Sequence, residues 1–295
     1  MSEPMTVKES AYAKVNLFLE ILGKREDGYH EIDTIMQTVS LADSVTVTAL
    51  PTERTEVTLE CAIPWIPKDE RNTAYRAVQL FLRAIDKTAA VTVRIDKNIP
   101  TAAGLGGGSS DAAAVLRALN KLYGRPLPRE TLCELGKEIG ADVPFCIRGG
   151  SVRCRGIGEL FTPCMNLAPC SLVIAIGRQR SQTPAAYGLL DENGYLGSRS
   201  ADRMAESLST GKLQQITENL YNAFESVILP ANADAAAIHA FLTQSSGNLG
   251  TLMSGSGAAV FGIYRSYKQA EQIAAALRKQ GNRAWSVYPV QGADR

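Results

Sequence analysis

The sequence predicts an α+β fold built in two parts, and three observations carry that expectation. At about 150 residues per domain, 295 residues correspond to two domains. Segments with the two-residue apolar period of strands are mixed with segments of helical period, without the regular strand-helix-strand alternation of a parallel sheet. The stretch from Arg178 to Arg199 turns polar and rich in turn formers, which marks it as irregular structure between the parts or facing a substrate. The expected domains are residues 1–165 and 166–295.

The elements follow in order. Ala11, Ala13, Val15, Leu17, Leu19 and Ile21 alternate with Tyr12, Lys14, Asn16, Phe18 and Glu20, a strand period that puts Lys14 and Asn16 on one face. Short β-rich runs cover 44–49, 55–60 and 91–96, with a helical pattern over 74–85 before the last of them. An Ala/Leu-rich helix is expected over 109–123 and another over 128–139, stopped by Gly140. The second half gives a strand over 171–176 and helices near 211–219 and 233–243. Strands over 249–253 and 258–264 flank a Gly/Ser turn, before a helix over 268–280 and a last strand over 283–290.

Composition removes several classes of function. Lys plus Arg total 31 against 30 for Asp plus Glu, so no broad field attracts nucleic acid or an anionic membrane, and any anion site must be local. The six cysteines form no C-x-x-C pair, and the amino-terminal residues 1–14 hold no apolar run suited to export, so reduced thiols in a cytoplasmic protein are expected. Two histidines, His30 and His239, are too few for a multi-histidine metal site. No run approaches the roughly 20 apolar residues that cross a bilayer.

The chemistry concentrates in Pro100-Thr101-Ala102-Ala103-Gly104-Leu105-Gly106-Gly107-Gly108-Ser109-Ser110, between a strand and a helix. Glycines let the backbone turn sharply and approach a ligand, and a following helix offers unpaired N–H groups and the positive end of its dipole. Together these make a phosphate cradle. No Lys follows the last glycine, so this is not a Walker A loop, and Ser109 stands where a dinucleotide fingerprint has its third glycine. The plainer alternative is a glycine-rich turn capped by Ser109 or Ser110, although four glycines within five positions exceed what a cap needs.

This segment resembles the central motif of the GHMP kinases, the family of galactokinase, homoserine kinase and mevalonate kinase. Ala13-Lys14-Val15-Asn16-Leu17 is similar to the family's first motif and Leu252-Met253-Ser254-Gly255-Ser256-Gly257 to its third, in the same order along the chain. The resemblance implies an amino-terminal ribosomal-S5-like ATP-binding domain and a carboxy-terminal ferredoxin-like α/β sandwich. It also implies that residues 100–110 wrap the triphosphate of ATP. Asp27-Gly28-Tyr29-His30 and Gly140-Ala141-Asp142-Val143-Pro144 resemble the branch whose acceptor is diphosphocytidyl methylerythritol, phosphorylated on its 2-hydroxyl in the non-mevalonate route to isoprenoid precursors.

On this resemblance Asp142 is the base that takes the acceptor's proton, and Lys14 the cation that polarises the hydroxyl. Without it, Asp142 is a turn or cap aspartate in a loop bounded by Pro144, and Lys14 a solvated strand residue. Mg²⁺ would be held by phosphates, water and one hydroxyl, with Ser110 the candidate ahead of Ser109. For the cytidine end the resemblance implies that Tyr29 stacks on the base, His30 bonds its edge, and Pro184 with Tyr187 closes the other side, while Asn16 lies near the reacting end. Ala258 stands where the family has Pro, and Arg178 and Arg180 in Gly177-Arg-Gln-Arg-Ser-Gln182 are available to a diphosphate. No nucleic acid, no membrane, and a monomer or homodimer are expected. The rivals are another GHMP kinase, a nucleotide-binding regulator without turnover, and an RNA-binding α+β protein.

Overall fold

The fold is that of a computed structural model, which describes residues 3–194, 199–281 and 285–293. In chain order its elements are β1 (Met5–Lys24), β2 (His30–Pro51), β3 (Glu56–Cys61), α1 (Thr73–Ala84), β4 (Ala89–Asp96), α2 (Gly107–Leu122), α3 (Arg129–Ile139) and α4 (Val143–Arg148). There follow β5 (Ser151–Gly156), β6 (Leu160–Pro163), β7 (Ser171–Ile176), α5 (Thr183–Asn193), α6 (Ala201–Thr210), α7 (Leu213–Glu218) and β8 (Tyr221–Asn222). The chain ends with α8 (Glu225–Ala231), α9 (Ala233–Gln244), β9 (Gly250–Met253), β10 (Val260–Tyr264), α10 (Tyr267–Gln280) and β11 (Ser286–Gln291).

Two compact units are formed: residues 1–13, 41–101 and 106–148 in the first, and 14–40, 102–105 and 149–295 in the second. The expected boundary at 165/166 falls inside the second unit, in the loop between β6 and β7. Strand order in the larger sheet is β3-β4-β2-β1-β8, with β5 on β2 and β6 on β5.

In the first unit, residues Ser44 to Pro51 of β2 pair antiparallel with β4, and β3 pairs parallel with β4. Every second residue of β4 (Ala89, Val91, Val93, Ile95) is buried while Arg94 and Asp96 reach solvent, the period of a sheet with one covered face. That face meets the apolar stripe of α1, whose Ala74, Ala77, Val78, Phe81 and Leu82 are buried. Asn72 caps α1 by accepting the N–H of Ala74 at 2.9 Å. Helix α2 packs on α1, and its small residues Ala112 to Ala114 are fully buried.

In the second unit a four-stranded antiparallel sheet, order β11-β7-β10-β9, is packed by α9 and α10. All six residues of β7 are buried, and from Leu172 to Ile176 this central strand is an unbroken apolar run with no alternation. The six cysteines are free thiols.

The structure departs from the sequence expectations in identifiable places. Residues 178–199 are not irregular throughout, because α5 occupies Thr183–Asn193, with Pro184 in its first turn and Ala186 and Leu190 on a buried stripe. Residues 195–198 lie outside the described residues, as do Arg283 and Ala284 of the last expected strand. Asp142 lies in the short loop between α3 and α4, as expected, but that loop ends one residue before Pro144: helix α4 begins at Val143, and Pro144 sits in its first turn, where the missing N–H costs nothing. The amino-terminal half of β2 escaped the sequence reading since Asp33 to Val39 are all buried and carry no two-residue period.

Phe81 is fully buried and its ring lies 6.0 Å from that of Tyr123. Phe81→Ala is expected to lower unfolding free energy by about 3–5 kcal/mol, as read by urea denaturation with an unchanged m-value.

Candidate active site

In the first unit the site is the head of α2. Gly106 occupies the cap position in the left-handed region (φ 69°), a conformation that suits glycine. The first intrahelical bond is Ser110 N–H to Gly106 O at 2.9 Å, so the N–H groups of Gly107, Gly108 and Ser109 have no acceptor within the helix. No side chain caps this end, so the plainer alternative, a turn capped by Ser109 or Ser110, is not what the chain forms. The reason is local: Ser110 is buried and its hydroxyl donates to Tyr12 O at 2.6 Å, one helical turn away from where a cap would act. Gly108 and Ala102 are exposed, Pro100, Thr101 and Ser109 half-buried.

Behind this helix end Lys97 donates to Asp43 Oδ2 at 2.5 Å and to Asp111 Oδ2 at 2.7 Å. The other oxygen of Asp43 accepts the N–H groups of Asn98 and Ile99, at 2.5 and 2.7 Å, which fixes the backbone entering the glycine loop. Burial pushes the Asp111 carboxyl above the usual carboxylate range, with the Lys97 ammonium opposing and Asp43 adding to the rise. Asp142, half-buried, stands immediately before α4, and its carbonyl accepts the N–H of Cys146 at 3.0 Å.

In the second unit the middle of the loop meets β1 and the turn after β9. Lys14 is 5% exposed, far from the solvated residue that its strand position alone suggests. Its Nζ donates to Asn16 Oδ1 at 2.8 Å, Asn16 Nδ2 donates to Thr34 Oγ1 at 2.8 Å, and Thr34 donates on to Phe18 O at 2.6 Å. The Lys14 N–H donates to Leu105 O at 3.1 Å, and the Ala259 N–H to Ala103 O at 3.2 Å, so the loop segment is held on both sides. Ala103 and Leu105 are buried. Ser254, fully buried, accepts the N–H of Asn16 at 3.3 Å and donates to Gly104 O at 3.0 Å. Gly104 has φ +76°, and a Cβ there would lie 2.2 Å from Ser254 O, a backbone atom that cannot swing aside.

The aromatic residues expected at the base are also in this unit. Tyr29 follows the β1–β2 turn, which is closed by Arg25 N–H to Tyr29 O at 2.8 Å, and it is 62% exposed. His30 stacks on Tyr187 with centroids 4.3 Å apart and planes 23° apart, and Phe224 meets Tyr187 edge-on at 4.9 Å. Asp191 accepts from His30 Nε2 at 2.8 Å and from Lys24 at 2.7 Å, and with Pro184 and Tyr187 it belongs to α5. Arg178 and Arg180 are exposed on the segment before α5.

Thr34, Asp43, Lys97, Asp191, Asn222 and Ser254 have contacts that sequence reasoning did not supply. Ser254 lay inside a quoted motif, and Asp191 follows Tyr187 by one helical turn, a spacing legible only once α5 is recognised as a helix. Asn222 is on a two-residue strand that carries no periodic signal. Its Nδ2 donates to Met253 O at 2.7 Å and to Gly255 O at 2.8 Å, while Glu225 accepts the N–H of Met253 at 2.8 Å.

A glycine-lined helix head and a buried lysine strand in a two-domain α+β chain define an ATP-dependent kinase of the GHMP type. Two family models agree: the GHMP kinases N terminal domain matches residues 72–150 and the GHMP kinases C terminal matches 204–283. The 4-diphosphocytidyl-2-C-methyl-D-erythritol kinase of Caldicellulosiruptor saccharolyticus is 41% identical over 268 residues, covering 91% of either chain. That of Desulfitobacterium hafniense is 37% identical, covering 97% of this chain and 96% of its own. A crystal structure of 4-(cytidine 5'-diphospho)-2C-methyl-D-erythritol kinase, 33% identical, superposes with a TM-score of 0.80 over 98% of this chain and 100% of that one. The chain belongs to the GHMP kinases and, within them, to the 4-diphosphocytidyl-2-C-methyl-D-erythritol kinase family.

Gly104→Ala is expected to reduce turnover at least about a hundredfold, because the 2.2 Å approach forces the loop off the Ser254 backbone; steady-state kinetics on the folded variant check this. Burial pushes the Glu225 carboxyl up to about 7. Between the ordinary carboxylate value and that value the folded chain keeps a proton the unfolded chain has lost, so stability falls as pH rises through the window. Glu225→Gln keeps an acceptor for Met253 and removes the titration. Its melting temperature is expected to exceed the parent's by about 5 °C at about pH 8 and to match it near about pH 4, by calorimetry.

Proposed function

We propose that the protein transfers the γ-phosphoryl group of ATP to the 2-hydroxyl of 4-diphosphocytidyl-2-C-methyl-D-erythritol, giving the 2-phosphate and ADP in the non-mevalonate route to isoprenoid precursors. The observation that carries the reading is the amino end of α2, where three consecutive N–H groups without helical partners follow a left-handed glycine. Such an end binds phosphate oxygens by hydrogen bonds and by the helix dipole together.

Phosphoryl transfer asks the protein mainly for position and charge neutralisation. In the proposal the acceptor's 2-hydroxyl oxygen attacks the γ-phosphorus, its proton passes to the Asp142 carboxylate, and the bond to the β,γ-bridging oxygen breaks to release ADP. Lys14, oriented by Asn16 and Thr34, is the cation that polarises the acceptor hydroxyl. Residues 100–110 hold the triphosphate. Tyr29, His30, Pro184 and Tyr187 take the cytosine, with Asp191 fixing the His30 ring. A cytoplasmic location, where ATP is supplied, is part of the same proposal; no helix among the described residues is long and apolar enough to cross a membrane.

Mg²⁺ would neutralise the β- and γ-phosphate oxygens when bound. Among the described residues no group of three or more His, Cys, Asp or Glu side chains is placed to hold a metal. In the proposal Mg²⁺ is carried by phosphates and water with one protein hydroxyl, a hard oxygen set that needs no carboxylate cage. Ser110 is proposed for that hydroxyl, with Ser109 second: the Ser110 proton is engaged by Tyr12 O, which leaves oxygen lone pairs for a cation.

The test is ADP release by the purified protein with ATP, Mg²⁺ and the diphosphocytidyl substrate, with homoserine and mevalonate in parallel. Turnover is expected with the cytidine compound alone, and Asp142→Asn is expected to lower kcat by about a hundredfold or more at a KM within about threefold of the parent's. Turnover with another acceptor would remove the cytosine assignment, and ATP binding without any turnover would leave a nucleotide-binding module.

A further inference from the structure

Asn222 touches none of the groups assigned above to ATP or the acceptor, yet it joins the two pieces of backbone on which the second unit's site residues stand. It is 2% exposed and ends β8, where it stands in register with Leu19 of β1. The neighbouring Ala223 N–H donates to Leu19 O at 2.9 Å. The position of Asn222 is therefore set by the strand that carries Lys14 and Asn16.

Its side chain works in the other direction. The two amide hydrogens go to Met253 O and Gly255 O, and Oδ1 accepts the N–H of Phe224 at 3.0 Å. The two carbonyls bracket Ser254, whose hydroxyl bonds to both the Asn16 N–H and Gly104 O. Glu225 takes the Met253 N–H, so donor and acceptor groups of the same turn are held from one corner of the chain. A Cβ on Gly255 would lie 3.1 Å from Gly104 O and 3.5 Å from Lys14 Nζ, which measures how closely this turn meets the lysine.

Only a primary amide does this. A carboxylate would set charge against two carbonyl oxygens, an aliphatic side chain would leave both carbonyls buried without donors, and a hydroxyl has one hydrogen for two acceptors. We infer that Asn222 is a positioning residue for phosphoryl transfer, holding the Met253–Gly255 turn so that Ser254 and Gly255 stay against Gly104 and the Lys14 ammonium. The inference rests on the kinase reaction proposed above. Displacement of the turn by a fraction of an ångström shifts the phosphate loop and the lysine relative to each other, an error that transition states feel more than bound substrates do.

The experiment compares Asn222→Ala and Asn222→Ser with the parent enzyme, with folded fraction measured by near-ultraviolet circular dichroism at the assay temperature. Per folded molecule, kcat is expected to fall by about tenfold to a hundredfold in the alanine variant and less in the serine variant, which restores one hydrogen bond. KM for the cytidine-bearing acceptor is expected to stay within about twofold. A purely architectural role would lower the folded fraction and leave kcat per folded molecule unchanged, and that result overturns the inference. Failure of both variants to fold would also overturn it, by making Asn222 a folding residue. A parent enzyme without turnover would instead remove the proposed reaction, and the inference with it.

Discussion

Nothing larger than hydrogen fits on the Cα of Gly104, because the peptide of Ser254 passes through the space a side chain would fill. That approach is the constraint around which the second unit's part of the site is arranged. It lets the Ser254 hydroxyl reach Gly104 O, and the same hydroxyl reaches back to the N–H of Asn16, so loop, strand and turn share one buried oxygen. A wider separation would need a water or a longer side chain in that place, and either would loosen the register between Lys14 and the loop.

The fold was legible in outline because strands such as β4 have one wet face and helices such as α1 have one apolar stripe, and both arrangements leave a period in the sequence. Where both faces are covered, as in Asp33 to Val39, the period vanishes and only the three-dimensional partners identify the strand. Helix α5 was hidden for the opposite reason: few of its residues are buried, and the polar residues around it imitate a loop. In the site, the glycine loop stood out because four glycines in five positions exceed what a turn requires, whereas Lys14 and Asp142 were singled out only by the resemblance to the GHMP kinases. Thr34, Asp191 and Asn222 did not stand out, since a hydrogen bond made to a residue far along the chain leaves no trace near the residue that makes it.

Buried charge in the first unit is arranged to hold backbone. Asp43 spends one oxygen on Lys97 and the other on two consecutive N–H groups, and Lys97 is in turn held by Asp111 from the first turns of α2. Removing Lys97 would leave two carboxylates beneath the glycine loop without a counter-charge, which costs far more than the ion pairs contribute. Ion pairs such as Arg71 with Asp69 are exposed on both sides and have no such weight.

The chain of bonds from Lys14 through Asn16 and Thr34 to Phe18 O has a direction. Each member donates to the next, and the last is a peptide oxygen with no proton to pass on. An amide in the middle neither gains nor loses a proton at neutral pH, so the arrangement is an insulator to protons while it holds a cation at its head. A proton at the lysine end has no exit along this path. The lysine arm fixes a charge and its orientation and relays no proton.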